Sequence, residues 1–273
     1  MSGFLLAVRT GFGFLSTIPV GITMEGLDEL SKRSYLFVFT GIILGSLMGI
    51  FTAAAEYIFP SSLSVALIVA FVYYLTGFNH LDGLSDFGDG FTAHGSLEKK
   101  IKALKDMSLG IGGVAFCVIS LLVLYSAILS LQGVIQSTIS GDVRWLYLPL
   151  SVLVAEIGAK QAMVTISAFG KPIHEGLGSM IINVTNFSTF LRSVLIGGIV
   201  SGIALGIVGL IAFVAAIVSA FWVLYVSNKH FTGINGDCIG TANEVGRIVS
   251  LIAIIIALNL ISTSYGGIVW MLL

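Results

Sequence analysis

Residues 191–226 read LRSVLIGGIV SGIALGIVGL IAFVAAIVSA FWVLYV, and after Arg192 the stretch holds no charged side chain. Its 36 residues are nearly twice the about 20 that cross a bilayer core about 30 Å thick at about 1.5 Å per residue. Two helices turning near Gly206 and Gly209 are therefore expected. Working outward, further apolar runs at 35–58, 62–79, 111–131, 145–169 and 248–272 bring the expected count to seven spans. Residues 3–20 are apolar but short and broken by Arg9, Gly11 and Gly13, which suits an N-terminal interfacial or re-entrant helix. No charged segment precedes Phe4, so a cleaved signal peptide is not expected.

Composition agrees. Of 273 residues 56% are hydrophobic and 10% charged, with mean hydropathy +1.04, against roughly 25% charged in soluble domains. Too few polar groups exist to clothe a water-soluble globule. A net charge of −1 without a basic block argues against a nucleic-acid partner. Thirty-three glycines and four prolines fit helices that approach closely through small residues, not a β-barrel. Cys117 and Cys238 belong to no CxxC or Cys/His cluster, so free thiols are expected. There is no fixed-period repeat. The fold class is all-α, a polytopic membrane helix bundle, with residues 1–273 as a single integral membrane domain.

Cations collect in loops that stay inside. With the N-terminus inside, Arg9, Lys32, Arg33, Lys99, Lys100, Lys102, Lys105, Lys171, Arg192, Lys229 and Arg247 share one side, eleven of thirteen. Arg144 falls outside and Lys160 within the fourth span. A single helix through 191–226 would instead put the 170s and 230s on opposite faces.

Four of seven aspartates lie between 82 and 106. On a helix continuing from the second span, Asp82, Asp86 and Asp89 fall at about 0°, 40° and −20°, one face. Such like charges repel unless a cation sits among them. Oxygen-only donors suit Mg²⁺ or Mn²⁺ and argue against zinc. Gly83 and Gly90, at about 100° and 80°, leave a bare flank that a phosphate ester could approach. An acidic, solvated helix end is the plainer alternative.

A second polar island runs from Thr232 to Glu244, with a turn at Asn235-Gly236 and Asp237 as a helix N-cap. Asp237, Thr241 and Glu244 repeat the i, i+4, i+7 spacing, and the helix N-terminus suits an anion. Glu156 and Lys160 form an i, i+4 pair inside a span and should face the protein interior, as a mutual pair or as a substrate contact. Glu56 reads as interfacial. His80 adjoins the aspartates and is a candidate for chemistry, whereas His94, His174 and His230 read as loop or interfacial residues. The lysines at 99–105 are explained by topology, with phosphate contact left open.

Clustered carboxylates beside glycines and a helix N-terminus suit displacement at phosphorus. No Walker A loop or kinase signature is present. A cation or proton-coupled transporter would also use intramembrane acids, but these gather at one face instead of mid-bilayer.

Asp82-Gly-x-x-Asp86-x-x-Asp89-Gly90 is similar to the aspartate motif of CDP-alcohol phosphotransferases, but that family's continuation after Gly90 is missing. A lipid headgroup transferase is therefore the alternative. The sequence more closely resembles the cobalamin synthase family, the adenosylcobinamide-GDP ribazoletransferases. The shared stretches are 14–20 (FLSTIPV), 80–90 (HLDGLSDFGDG), 105–110 (KDMSLG), 175–178 (EGLG) and 232–237 (TGINGD), in the family's order. The resemblance implies a membrane-bound, Mg²⁺-dependent transferase. A hydroxyl of α-ribazole, or of its 5′-phosphate, would attack the corrinoid-side phosphorus of adenosylcobinamide-GDP and release GMP. It implies metal binding by Asp82, Asp86 and Asp89. Asp106 and Asp237 would complete a second metal site or activate the nucleophile, Asp237 being preferred over His80 as base. Asn79, Gly83, Gly90, Lys105, Asn235 and Lys160, which stands where the family carries an arginine, are the candidate substrate contacts. The expected setting is the inner, cytoplasmic membrane with the site facing the cytoplasm; a homo-oligomer is compatible with the sequence.

Overall fold

The computed structural model describes residues 2–106 and 108–265. Among these, the chain is predominantly helical, without a strand beyond one isolated parallel bridge between Pro172 and Ile234. The polytopic all-α bundle is thereby established. Chain order gives α1 (Gly3–Leu15), α2 (Met24–Ser31), α3 (Leu36–Ile58), α4 (Ser61–Thr76), α5 (Asn79–Thr92) and α6 (Leu97–Leu104). There follow α7 (Ile111–Thr138), α8 (Arg144–Phe169), α9 (Leu177–Ile182), α10 (Phe187–Phe231) and α11 (Gly236–Tyr265). Residues 266–272, the end of the expected last span, lie outside the described residues.

Five of these helices, α3, α7, α8, α10 and α11, are long and apolar enough to cross a membrane. One of them is two: α10 breaks at Leu205 (φ −135°, ψ 19°) and Gly206 (φ 58°, ψ −138°), the position read from its length. Only glycine adopts the second conformation without strain. The arms run antiparallel, since Phe169 touches both Phe190 and Phe221 at 5.1 Å between ring centroids, and Gly197 of the first arm packs under Phe213 of the second. The expected second span is shorter than its apolar run. α4 has 16 residues, about 24 Å of helix, and Gly77, at φ 70°, lets α5 leave at 95° to it. The count of seven spans thus depends on α4 alone. The expected N-terminal helix is α1, 13 residues or about 20 Å. The segment after it is tied to the end of α4 by Thr17 N–H donating to Leu75 O (2.8 Å) and Thr17 Oγ1 to Tyr74 O (2.9 Å).

The bundle is organised around α8, buried along most of its length, whereas α7 turns most of its surface outward. α3 reaches α8 through Gly41, Gly45 and Gly49, spaced one turn apart. A Cβ on them would lie 3.3, 3.0 and 2.9 Å from the carbonyl oxygens of Glu156, Leu153 and Pro149. Small residues at four-residue spacing let the backbones approach without intervening side chains, which is how helices associate where no hydrophobic driving force separates protein from solvent. Both cysteines are free, Cys238 fully buried.

Candidate active site

The two polar islands meet where α5 crosses the first turns of α11. Gly83 and Gly240 make the crossing: a Cβ on Gly83 would sit 3.0 Å from Asp237 Cα, and one on Gly240 3.2 Å from His80 Cα. Thr241 Oγ1 reaches Gly83 O at 3.4 Å across the interface and Asp237 O at 2.8 Å along its own helix. The flank that the sequence left bare beside the aspartates is therefore filled by α11. Gly90 is likewise covered, a Cβ there falling 2.9 Å from the Phe231 ring and 3.0 Å from Leu104 Cβ. Both glycines correct the expectation of substrate contact: they admit a helix, not a phosphate.

Asp82, Asp86 and Asp89 share one face of α5, as their spacing predicts, and Asp237 of α11 joins their field. Asp86 registers all of this. Its carboxyl is pushed up to about 7, first by burial and then by the charges of Asp237, Asp82 and Asp89. Asp89 is held differently. Its two oxygens accept the amides of Gly110 and Gly113, both 2.8 Å away at the N-terminus of α7, where backbone donors favour an anion. Gly112 and Gly113 are what let α7 come so close, since a Cβ on Gly113 would lie 2.8 Å from both Asp89 Oδ2 and Ser85 O. Among the described residues, no three His, Cys, Asp or Glu side chains are gathered closely enough to hold an ion as they stand.

At the start of α11 the cap is Asn235 and not Asp237. Asn235 Oδ1 accepts Cys238 N–H at 3.1 Å and its Nδ2 donates to Asp237 Oδ2 at 2.6 Å. This leaves Asp237 Oδ1 for other work. Asn235 itself is buried, so it aims Asp237 and does not face substrate. Asn79 is exposed at the first residue of α5. His80, one residue on, is buried with no partner for Nδ1. Burial, reinforced by the positive charges of Lys160 and Arg247, holds its imidazole well below the usual value and therefore neutral.

Lys105 and Asp106 are exposed beyond the C-terminus of α6. Asp106 accepts Ser108 N–H at 3.0 Å, which lowers its carboxyl together with the charge of Lys102, and no contact brings it to the α5 carboxylates among the described residues.

Lys160 lies elsewhere. It is 0% exposed, 2.7 Å from Glu156 Oε1 as an ion pair, and donates to Asn243 Oδ1 at 2.7 Å. Arg247 binds Glu156 Oε2 through Nη2 (2.9 Å) and Glu244 Oε2 through Nη1 (2.6 Å), and Tyr73 OH donates to Glu244 Oε2 at 2.8 Å. Two acids and two bases make a buried, neutral cluster joining α4, α8 and α11. Of the two readings of Lys160, the mutual pair is the one present, and the side chain is fully buried. Arg247, counted by the sequence with the inner loops, belongs to this cluster too, as does Glu244, two turns beyond Asp237 on α11.

The sequence passed over His174. The bridge between Pro172 and Ile234 lays the 170–176 loop over the start of α11, and His174 acts on the Asp237 carboxylate electrostatically. Gly178 seats the loop, since a Cβ would lie 2.6 Å from Gly236 N. Only the EGLG stretch at 175–178 signalled this region.

Comparison with known proteins accounts for these clustered motifs. The family model described as Cobalamin-5-phosphate synthase matches residues 7–255. The chain belongs to this family. Curated relatives of the cobalamin-5-phosphate synthase family cover it from end to end. A Methanococcoides burtonii protein is 58% identical over 99% of both chains, and one from Methanosarcina mazei is 50% identical over 100% of both. An Archaeoglobus fulgidus protein is 30% identical over 92% of this chain and 97% of its own. Each carries the name adenosylcobinamide-GDP ribazoletransferase. No solved structure gives a significant match. All the stretches on which the resemblance was drawn, from residue 14 to residue 237, fall within the matched region.

Proposed function

We propose that the chain is an adenosylcobinamide-GDP ribazoletransferase of the cell membrane. It joins the corrinoid to α-ribazole, or to α-ribazole 5′-phosphate, and releases GMP. The observation that carries this reading is the convergence of Asp82 and Asp86 with Asp237 across the α5–α11 crossing, in a chain whose full-length relatives bear that name. The positive-inside bias supports a site facing the cytoplasm.

In the reaction a hydroxyl oxygen of α-ribazole forms a bond to the corrinoid-side phosphorus, and the bond from that phosphorus to the oxygen bridging it to GMP breaks. The hydroxyl proton needs an acceptor. Asp237 is aimed by Asn235 and has an oxygen left over, whereas His80 is enclosed in the crossing, so Asp237 takes the role. Asp89, anchored on the α7 amides, fixes the pitch of α5 and thereby the direction of Asp82 and Asp86.

The donor set fits a hard divalent cation. Asp82 and Asp86 offer oxygen alone, and the raised Asp86 carboxyl marks a surplus of negative charge that a cation would relieve. Mg²⁺ is commonly held by one or two carboxylates plus substrate phosphates, so a preformed three-carboxylate cage is not required. A bound Mg²⁺ would neutralise the phosphate oxygens and the leaving group. GMP release from adenosylcobinamide-GDP and α-ribazole, with and without Mg²⁺, tests the proposal on the wild type and on Asp82→Ala. Turnover by the wild type only with Mg²⁺, lost in the variant while it still inserts in membranes, is expected. Full activity in Asp82→Ala would refute the role given to the carboxylates.

A further inference from the structure

Cavities lie on two sides of the first turns of α5. One, of about 320 Å³, runs toward α7 with Asp82 in its wall. The other, of about 190 Å³, lies among α1, α5, α8, α9 and α11, with Asn79, His80 and Asp237 in its wall. We propose that the smaller cavity binds the benzimidazole base of the acceptor, α-ribazole, and that its ribose then lies at Asp237. The proposal rests on the transferase reading and adds to it the subsite of one substrate.

Size is the first argument. Whole-ligand pockets run about 300 to 1,000 Å³, so 190 Å³ accommodates one ring system but neither a corrin nor a complete nucleotide. Chemistry is the second. Phe14, Met163, Leu177, Ile181 and Ile239 make most of the wall, and Phe14 is held in place by stacking on Phe37 at 6.2 Å. A flat hydrocarbon-edged ring gains from burial against such groups and from contact with the methionine sulfur. Polar complementarity is the third. A benzimidazole riboside presents one ring nitrogen as acceptor, and the wall contributes the side-chain amide of Asn79, exposed at the first residue of α5, as a donor. Placement is the fourth. In an in-line displacement nucleophile and leaving group occupy opposite sides of the phosphorus. The acceptor therefore belongs on the side of Asp237, the proton acceptor, and the leaving nucleotide on the side of Asp82.

The test measures KM for α-ribazole and for adenosylcobinamide-GDP separately, by GMP release, alongside equilibrium binding of α-ribazole. Ile239→Phe fills the cavity from α11, and Leu177→Trp narrows its mouth at an exposed position where the fold tolerates bulk. Both variants should raise the α-ribazole KM by ~10-fold or more, about 1.4 kcal/mol, and leave the adenosylcobinamide-GDP KM unchanged. An unchanged α-ribazole KM in both variants, or a rise confined to the GDP substrate, overturns the assignment while leaving the transferase reading intact. Failure of the wild type to release GMP from the paired substrates overturns both.

Discussion

Replacing Lys160 by methionine removes one charge from a cluster that is neutral only as a whole. Glu156 Oε1 then loses its ion pair at 2.7 Å, Asn243 Oδ1 loses its donor at 2.7 Å, and the contact between α8 and α11 is left with a net charge of −1 on groups that are 0–3% exposed. Breaking a buried pair by removing one partner costs about 3 to 5 kcal/mol, because the remaining charge has neither water nor counter-ion. Out of the about 5 to 15 kcal/mol that holds a typical domain together, this is a large share. The double variant Glu156→Gln/Lys160→Met removes one acid and one base. It keeps Arg247 paired with Glu244 at 2.6 Å and should cost less than the sum of the singles by about 0.5 to 3 kcal/mol. Unfolding of the purified protein in mixed detergent, followed by loss of helical circular dichroism, gives all three values. Activity of the folded fraction should show unaltered KM for both substrates. A cost below about 1 kcal/mol, strict additivity, or a raised KM for the corrinoid substrate at unchanged stability would refute the reasoning and return Lys160 to the substrate site.

Further outcomes follow from the same geometry. Gly83→Val places side-chain atoms where Asp237 Cα now lies 3.0 Å from an ideal Cβ, so α5 and α11 separate and GMP release should fall by ~10-fold or more in protein that still inserts in membranes. Asp89→Asn weakens the two bonds from Gly110 and Gly113 and should cost about 1 to 3 kcal/mol in the same unfolding assay, whereas Asp86→Asn relieves repulsion and should stabilise chelator-treated protein while abolishing turnover. The Asp86 carboxyl also sets a pH dependence. Its folded-state pKa of about 7 exceeds the ordinary 3.8, so between these values the folded chain holds more protons than the unfolded one and stability falls as pH rises; thermal scans with EDTA should show this and Mg²⁺ should reverse it. Gly206→Ala forces a side chain onto φ 58°, ψ −138°, and should lower stability by about 1 to 3 kcal/mol without changing either KM.

Periodicity made the architecture legible. The length of 191–226 implied a hairpin, and the break falls at Leu205–Gly206; the i, i+4, i+7 spacing placed Asp82, Asp86 and Asp89 on one face, where they stand. Those signals are local, set by rise and turn along one helix. What lay beyond reach was the identity of whatever faces a given stripe. Gly83 and Gly90 show the difficulty, because a residue without a side chain invites a ligand and a neighbouring backbone equally, and only the α5–α11 crossing and Phe231 decide between them. Asp237 was mistaken for the cap because Asn235 and Asp237 are both good capping residues two positions apart, and the start of α11 selects the first. His174 reaches Asp237 through the single bridge between residues 172 and 234, which no spacing rule encodes.

The charge cluster is the instructive case, since half of it was readable. Glu156 and Lys160 stood out as an i, i+4 pair in an apolar run, but Glu244 and Arg247, an i, i+3 pair on α11, were divided between the polar island and the inner loops. The bilayer supplies a reason to join them. An isolated acid-base pair at depth still leaves lone pairs and N–H groups unanswered. Two such pairs on facing helices complete one another, Arg247 bridging both acids and Lys160 reaching Asn243 on the opposite helix. The cations of the cluster act on the buried His80 imidazole. The charge cluster beside the aspartate site is therefore neutral and held by side chains that are themselves buried. Any change that ionises it unevenly reaches the reaction through the seating of α5 on α11.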